Sequence, residues 1–232
     1  MFVGLMVLAA LATITAALRP GFNWHPYQAV TLIVIAAVTS RMRVRIPGIN
    51  GCMSVNLPFL LIAVISLSPL EAILTAGISA VVQTVPWDGT PLKPIQMIFN
   101  ASMMTFASGA ASLLVRQRTL DGWSKSPILL VAMSAVFFLG QTLPVSTIIS
   151  LTDGGSLVSI WAGLVKLMFP YYVLSAGVAS MVRAFDQHAS LIAGLLLLGV
   201  MYGIYRSYQA YFAKAEPAPR PAAMAQAAAS GR

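Results

Sequence analysis

Long apolar runs separated by short polar turns organise this chain. The runs are Phe2–Leu18, Tyr27–Ser40, Val55–Leu67, Glu71–Val85, Ile95–Leu114, Ile128–Ile149, Leu157–Val182 and Ala189–Tyr211. Within a run the apolar positions are continuous, which argues for helices. A membrane barrel strand would alternate in polarity over about ten residues. A helix needs about 20 residues to cross a bilayer. The pattern therefore predicts an all-α fold, a polytopic transmembrane helix bundle of about 6–8 membrane runs. Eight runs is the best reading, two of them short. Phe2–Leu18 has the length of a signal-peptide core, yet no Lys or Arg precedes it, so it reads as the first membrane helix.

The stretch from Gly51 to Val85 is the centre of the pattern. Two short runs meet there at Ser68-Pro69-Leu70-Glu71. That tetrapeptide fits a capping box, with serine at the cap, proline at the first helical position and glutamate at the third. An acid inside a membrane run is by default a functional candidate. Here the cap at Ser68 and Glu71 is the favoured role, and a proton carrier the alternative.

Composition agrees with the run pattern. The chain is 58% hydrophobic and 9% charged, with a mean hydropathy of +0.83, whereas soluble domains carry roughly a quarter charged residues. The net charge of +8 is read as loop charge facing anionic lipid, not as a nucleic-acid surface. Arg41, Arg43 and Arg45 follow a short run directly and form the strongest topology-setting basic loop. With eight runs, both termini fall on the cytoplasmic side, together with nine of the 14 basic residues. The runs occupy residues 1–214, and residues 215–232 form a Pro/Ala-rich tail expected to be disordered in the cytoplasm.

Chemistry is sparse. Cys52 is the only cysteine, and His25 and His188 are far apart without acidic neighbours at ligand spacing. No nucleophile elbow, zinc helix or phosphate loop is present. The expectation is a protein that is not an enzyme and carries no cofactor and no metal. Strong amides do recur within the runs. Asn56, Gln83, Gln96, Asn100 and Gln141 all fall toward the cytoplasmic half in the eight-run arrangement. Amides in hydrocarbon need partners or water, so the five form either an interhelical network or the lining of a polar cavity.

Three motifs carry a resemblance: Ser54-Val55-Asn56-Leu57-Pro58-Phe59, Ser68-Pro69-Leu70-Glu71-Ala72, and Pro94-Ile95-Gln96-Met97-Ile98-Phe99-Asn100. Together with the exit segment Tyr205-Arg206-Ser207-Tyr208, they resemble the MASE-type multi-pass sensor regions that precede HD-GYP, GGDEF or GAF domains. The resemblance covers nearly the whole chain up to about Glu216. It implies a sensor-like or anchoring module of the bacterial inner membrane, here without an output domain and acting through a separate protein partner. Ala12-x-x-x-Ala16 in the first run is similar to the docking motif of the S components of energy-coupling-factor transporters. That second resemblance implies a vitamin-type substrate-binding subunit. The expected partners are the lipid bilayer, a signalling or transporter protein and a small-molecule ligand, with no nucleic acid.

Overall fold

The computed structural model describes residues 1–18, 24–45, 52–86, 91–115 and 127–184, together with 199–200, 202–203, 206–207 and 210. Seven helices lie within these residues: α1 (Phe2–Ala17), α2 (Pro26–Ser40), α3 (Leu57–Ser66), α4 (Pro69–Thr84), α5 (Pro94–Val115), α6 (Pro127–Asp153) and α7 (Leu157–Ala184). Each coincides with a predicted run to within a few residues. Most of the final run, residues 116–126 between the fifth and sixth runs, and the tail 215–232 lie outside the described residues.

Three helices are long and apolar enough to cross a membrane: Pro94–Val115, Leu129–Asp153 and Leu157–Ser180. Their outward faces are apolar, with Ile98, Val131, Leu143, Phe169 and Val173 all exposed. Exposed apolar side chains of this size are suited to a lipid environment.

Of the four shorter helices, α1, α3 and α4 pack on α5, and α2 packs on α4 and α3. Buried residues Met6, Ala10, Thr13 and Ala17 recur every three or four positions along α1, which gives it one inward face, and that face lies on α5. Gly109 makes the approach possible: a Cβ there would meet the Thr13 Cβ at 2.8 Å and the Ile73 Cδ1 at 3.1 Å. On the other side of α4, α2 packs through Ala29, Ala36, Thr39 and Ser40. The small-residue face of α5 serves packing, since Ser108 is fully buried and its hydroxyl donates to the Ala72 carbonyl at 3.1 Å. Lys166 is one of the nine basic residues that the eight-run arrangement assigns to the cytoplasmic side. It sits within α7 on an exposed face, where its long stem can carry the charge toward the headgroups.

The central stretch is the least regular part of the fold. Helix α3 has 10 residues, about 15 Å at 1.5 Å per residue, half the thickness of a hydrocarbon core. Residues 57–64 are all buried, and a helix apolar on every side belongs in an interior. It packs against α2, α4, α5 and α7. Asn56 at its start donates to Ser79 far along α4, at 3.3 Å, so α3 and α4 run antiparallel as a hairpin turning at Leu67–Ser68.

One feature has no counterpart in the apolar pattern. Strands β1 (Arg43–Arg45) and β2 (Cys52–Ser54) pair antiparallel, with Arg43 opposite Ser54 and Arg45 opposite Cys52. This hairpin delivers the chain from the end of α2 to the interior start of α3.

Candidate functional site

The turn at Ser68 is a complete capping box. The Ser68 hydroxyl accepts from the Glu71 N–H at 3.4 Å and donates to Glu71 Oε2 at 2.7 Å, and the Ser68 N–H donates to Oε2 at 2.9 Å. Glu71 does more than cap its own helix. Its Oε1 accepts from the backbone N–H of His25 at 2.8 Å, the residue that begins α2. One carboxylate thus holds the first turns of two helices, and with 2% exposure it faces little solvent. His25 serves here through its backbone, a role that its side-chain chemistry does not announce.

The basic loop meets the opposite end of α4. Arg41 Nη1 donates to the Val85 carbonyl at 3.1 Å, and Arg43 Nη2 donates to the carbonyls of Gln83 and, at 2.9 Å, Val85. The last carbonyls of a helix have no partner within it and carry the negative end of its dipole. Two of the three arginines therefore act as C-terminal caps. Arg45 takes its place in β1.

A cavity of about 750 Å³ is lined by the start of α3, the end of α4, the first half of α5, the second half of α6 and the middle of α7. All five amides singled out from the sequence line it: Asn56, Gln83, Gln96, Asn100 and Gln141. They come from the start of α3, the end of α4, the first turns of α5 and the middle of α6. The exposed segment 92–96 forms the rim.

The polar groups divide by burial, from Ser54, Asn56 and Tyr171, which are buried, through Gln83, Asn100 and Gln141, half-buried, to the exposed Lys93 and Gln96. At the inner wall, the Ser54 hydroxyl donates to Asn56 Oδ1 at 2.6 Å, and Asn56 Nδ2 donates to Ser79. The Tyr171 hydroxyl donates to the Ser54 carbonyl at 3.2 Å and accepts from the Leu57 N–H at 3.3 Å. Asn56 stands at the N-cap position of α3, yet its side chain makes no capping bond; it is turned to Ser54 and Ser79 instead. At mid-depth, Gln141 donates to the Met104 sulfur and accepts from the Tyr172 hydroxyl. Trp161 Nε1 donates to Thr142 Oγ1 at 3.2 Å. Nearer the rim, Asn100 Nδ2 donates to Thr84 Oγ1 at 3.2 Å. The side chains of Gln83, Gln96 and Lys93 have no hydrogen-bond or ionic partner among the described residues.

Sequence reasoning missed Tyr171, Tyr172 and Lys93 as lining residues. The tyrosine pair follows Pro170 in the middle of an apolar run. Two hydroxyls that far from either end of a span are the signal that could have drawn attention. Among the described residues no group of three His, Cys, Asp or Glu side chains could hold a metal ion. The lining offers hydrogen-bond donors and acceptors, one ammonium and an apolar wall, which is the chemistry of binding small molecules. No family model matches the chain, and no curated protein or solved structure compared with it is similar.

Proposed function

We propose that the chain is a non-enzymatic, ligand-binding module of the bacterial inner membrane, sensor-like in role, which passes occupancy to a separate protein partner. The observation that carries this reading is the convergence of five amides from four helices on one cavity. Its volume of about 750 Å³ falls within the roughly 300–1,000 Å³ of small-molecule sites. In the proposed arrangement all eight runs are membrane-embedded, α3 and α4 form an inserted hairpin, and both termini face the cytoplasm. The rim of the cavity then opens on the cytoplasmic side.

Gentle extraction from membranes, followed by mass spectrometry of bound protein and small molecules, tests the reading. A bound ligand together with a cyclase, phosphodiesterase or kinase partner is expected. Recovery of a bare monomer would overturn it. A C-terminal reporter active only outside the cell would overturn the sidedness.

One observation favours a second reading, a solute-binding subunit of an energy-coupling-factor transporter. Ala12 is exposed on α1 and Ala16 is half-buried beside it, on a side left free by the face that meets α5. Co-purification with ATPase and coupling subunits, lost on Ala12→Trp, would replace the sensor reading with this one.

A further inference from the structure

We propose that the cavity takes an amphipathic anion, its acidic head held at the rim by Lys93, Gln83, Gln96 and Asn100 and its apolar body laid inward against Phe99, Met103 and Met168. The proposal rests on the reading of this cavity as a ligand site and adds the class of ligand and its direction of entry.

Two features of the lining carry it. The first is where hydrogen-bonding capacity is left over. At the inner wall, Ser54, Asn56 and Tyr171 are spent on one another, on Ser79 and on the start of α3, and Gln141 is engaged by Met104 and Tyr172. A polar head pushed to that depth would have to break existing bonds. At the rim, Gln83, Gln96 and Lys93 are uncommitted among the described residues, and Asn100 has spent one amide hydrogen on Thr84 and keeps the other. A buried body has thioethers, Phe99, Val145 and Leu164 to lie against, and methionine adapts to irregular apolar shapes.

The second feature is charge. Among the described residues Lys93 is the one ionised side chain in the lining, and no carboxylate of those residues joins it there. Asp153 lies one turn beyond Ile149 on α6, exposed and outside the lining. Glu71 is at the far end of α4 and its oxygens are taken. A cationic head would meet an ammonium and no counter-charge, whereas an anion gains a charge-assisted bond beside amides that can donate. The same chemistry has two sources, an acyl carboxylate supplied by the bilayer or a water-soluble aromatic acid.

Full-length protein in lipid nanodiscs, titrated with matched probes and followed by its thermal-unfolding midpoint, tests the assignment. Oleate against oleylamine reports the lipid source, and indole-3-acetate against tryptamine the soluble one. The acid of at least one pair is expected to raise the midpoint while its amine does not. Lys93→Gln, at an exposed position, should weaken that acid about tenfold, as loss of a charge-assisted hydrogen bond does. Met103→Trp, which fills the cavity, should abolish the effect. An amine that binds as well as its acid, or an acid unaffected by either substitution, overturns the anion assignment and leaves the ligand site standing. If no probe shifts the midpoint, the molecule co-purified with the protein decides: an amphipathic acid supports the assignment and any other chemistry overturns it. Finding no co-purified molecule as well overturns the ligand site itself.

Discussion

At its N-terminus α4 carries a carboxylate that is 2% exposed and accepts three hydrogen bonds. At its C-terminus it carries Gln83, half-buried, whose side chain has no partner among the described residues. On sequence alone, the acid was the more provocative of the two. The structure distributes their chemistry the other way. The carboxylate is consumed by the backbone of its own turn and of His25, so its charge is fully employed in holding two helix ends. The amide faces a cavity with its bonding capacity intact. A polar residue in an apolar run is thus better judged by what remains unbonded than by how strongly it ionises.

The contrast can be attacked from its strongest side first. Glu71→Ala would strand the N–H groups of Ser68 and His25, and an unsatisfied buried donor costs about 1–3 kcal/mol. The thermal-unfolding midpoint of the purified protein should fall by the largest amount of any substitution discussed here. Glu71→Gln keeps one carbonyl oxygen and should lose about 1 kcal/mol, with ligand binding retained. Binding lost at an undiminished folded yield would return Glu71 to the functional residues.

Gly109→Ala places a methyl 2.8 Å from the Thr13 Cβ. Overpacking of this kind costs about 1–3 kcal/mol; Gly109 is not itself in the cavity lining, so the thermal-unfolding midpoint should fall by more than the binding free energy changes. Arg43→Gln removes the cation from the carbonyls at the end of α4. A stability loss of about 1 kcal/mol is expected, readable in the same unfolding assay; no loss would mean that Arg41 and water satisfy those carbonyls without Arg43. Gln96→Ala is the smallest effect on the fold, within about 0.5 kcal/mol for an exposed side chain. It should nonetheless weaken binding of whatever molecule co-purifies, and a variant that binds as before would remove Gln96 from the site.

The helices were legible because each apolar run is continuous and its breaks are marked by Pro, Gly or charge. The cap at Ser68–Glu71 was legible because all of its partners but one lie within four residues. The five amides were legible as polar groups in the wrong solvent, although nothing in the sequence said that they share a cavity. Less could be read where the partner is distant. The bond from Glu71 to His25 spans 46 residues, and the arginines find the end of α4 across some 40. Tyr171 belongs to the inner wall through a bond to Leu57, 114 residues away. The β-hairpin was invisible for another reason: three-residue strands carry too few positions to show a period of two. The count of crossings was the hardest to read, since α3 satisfies hydropathy while falling short in length.

That short helix also sets a timetable. Half as long as a hydrocarbon core is thick, α3 meets α2 and α4 early, but another of the helices that bury it, α7, bonds to its first residue from 114 positions downstream. At synthesis rates of about 5–20 residues per second, roughly 6–23 s pass between the two. For that interval the Ser54 carbonyl and the Leu57 N–H lack the Tyr171 hydroxyl that joins them in the finished fold. The inner wall of the cavity is therefore among the last parts of the molecule to be finished, although the residues that build most of it are among the first to be made.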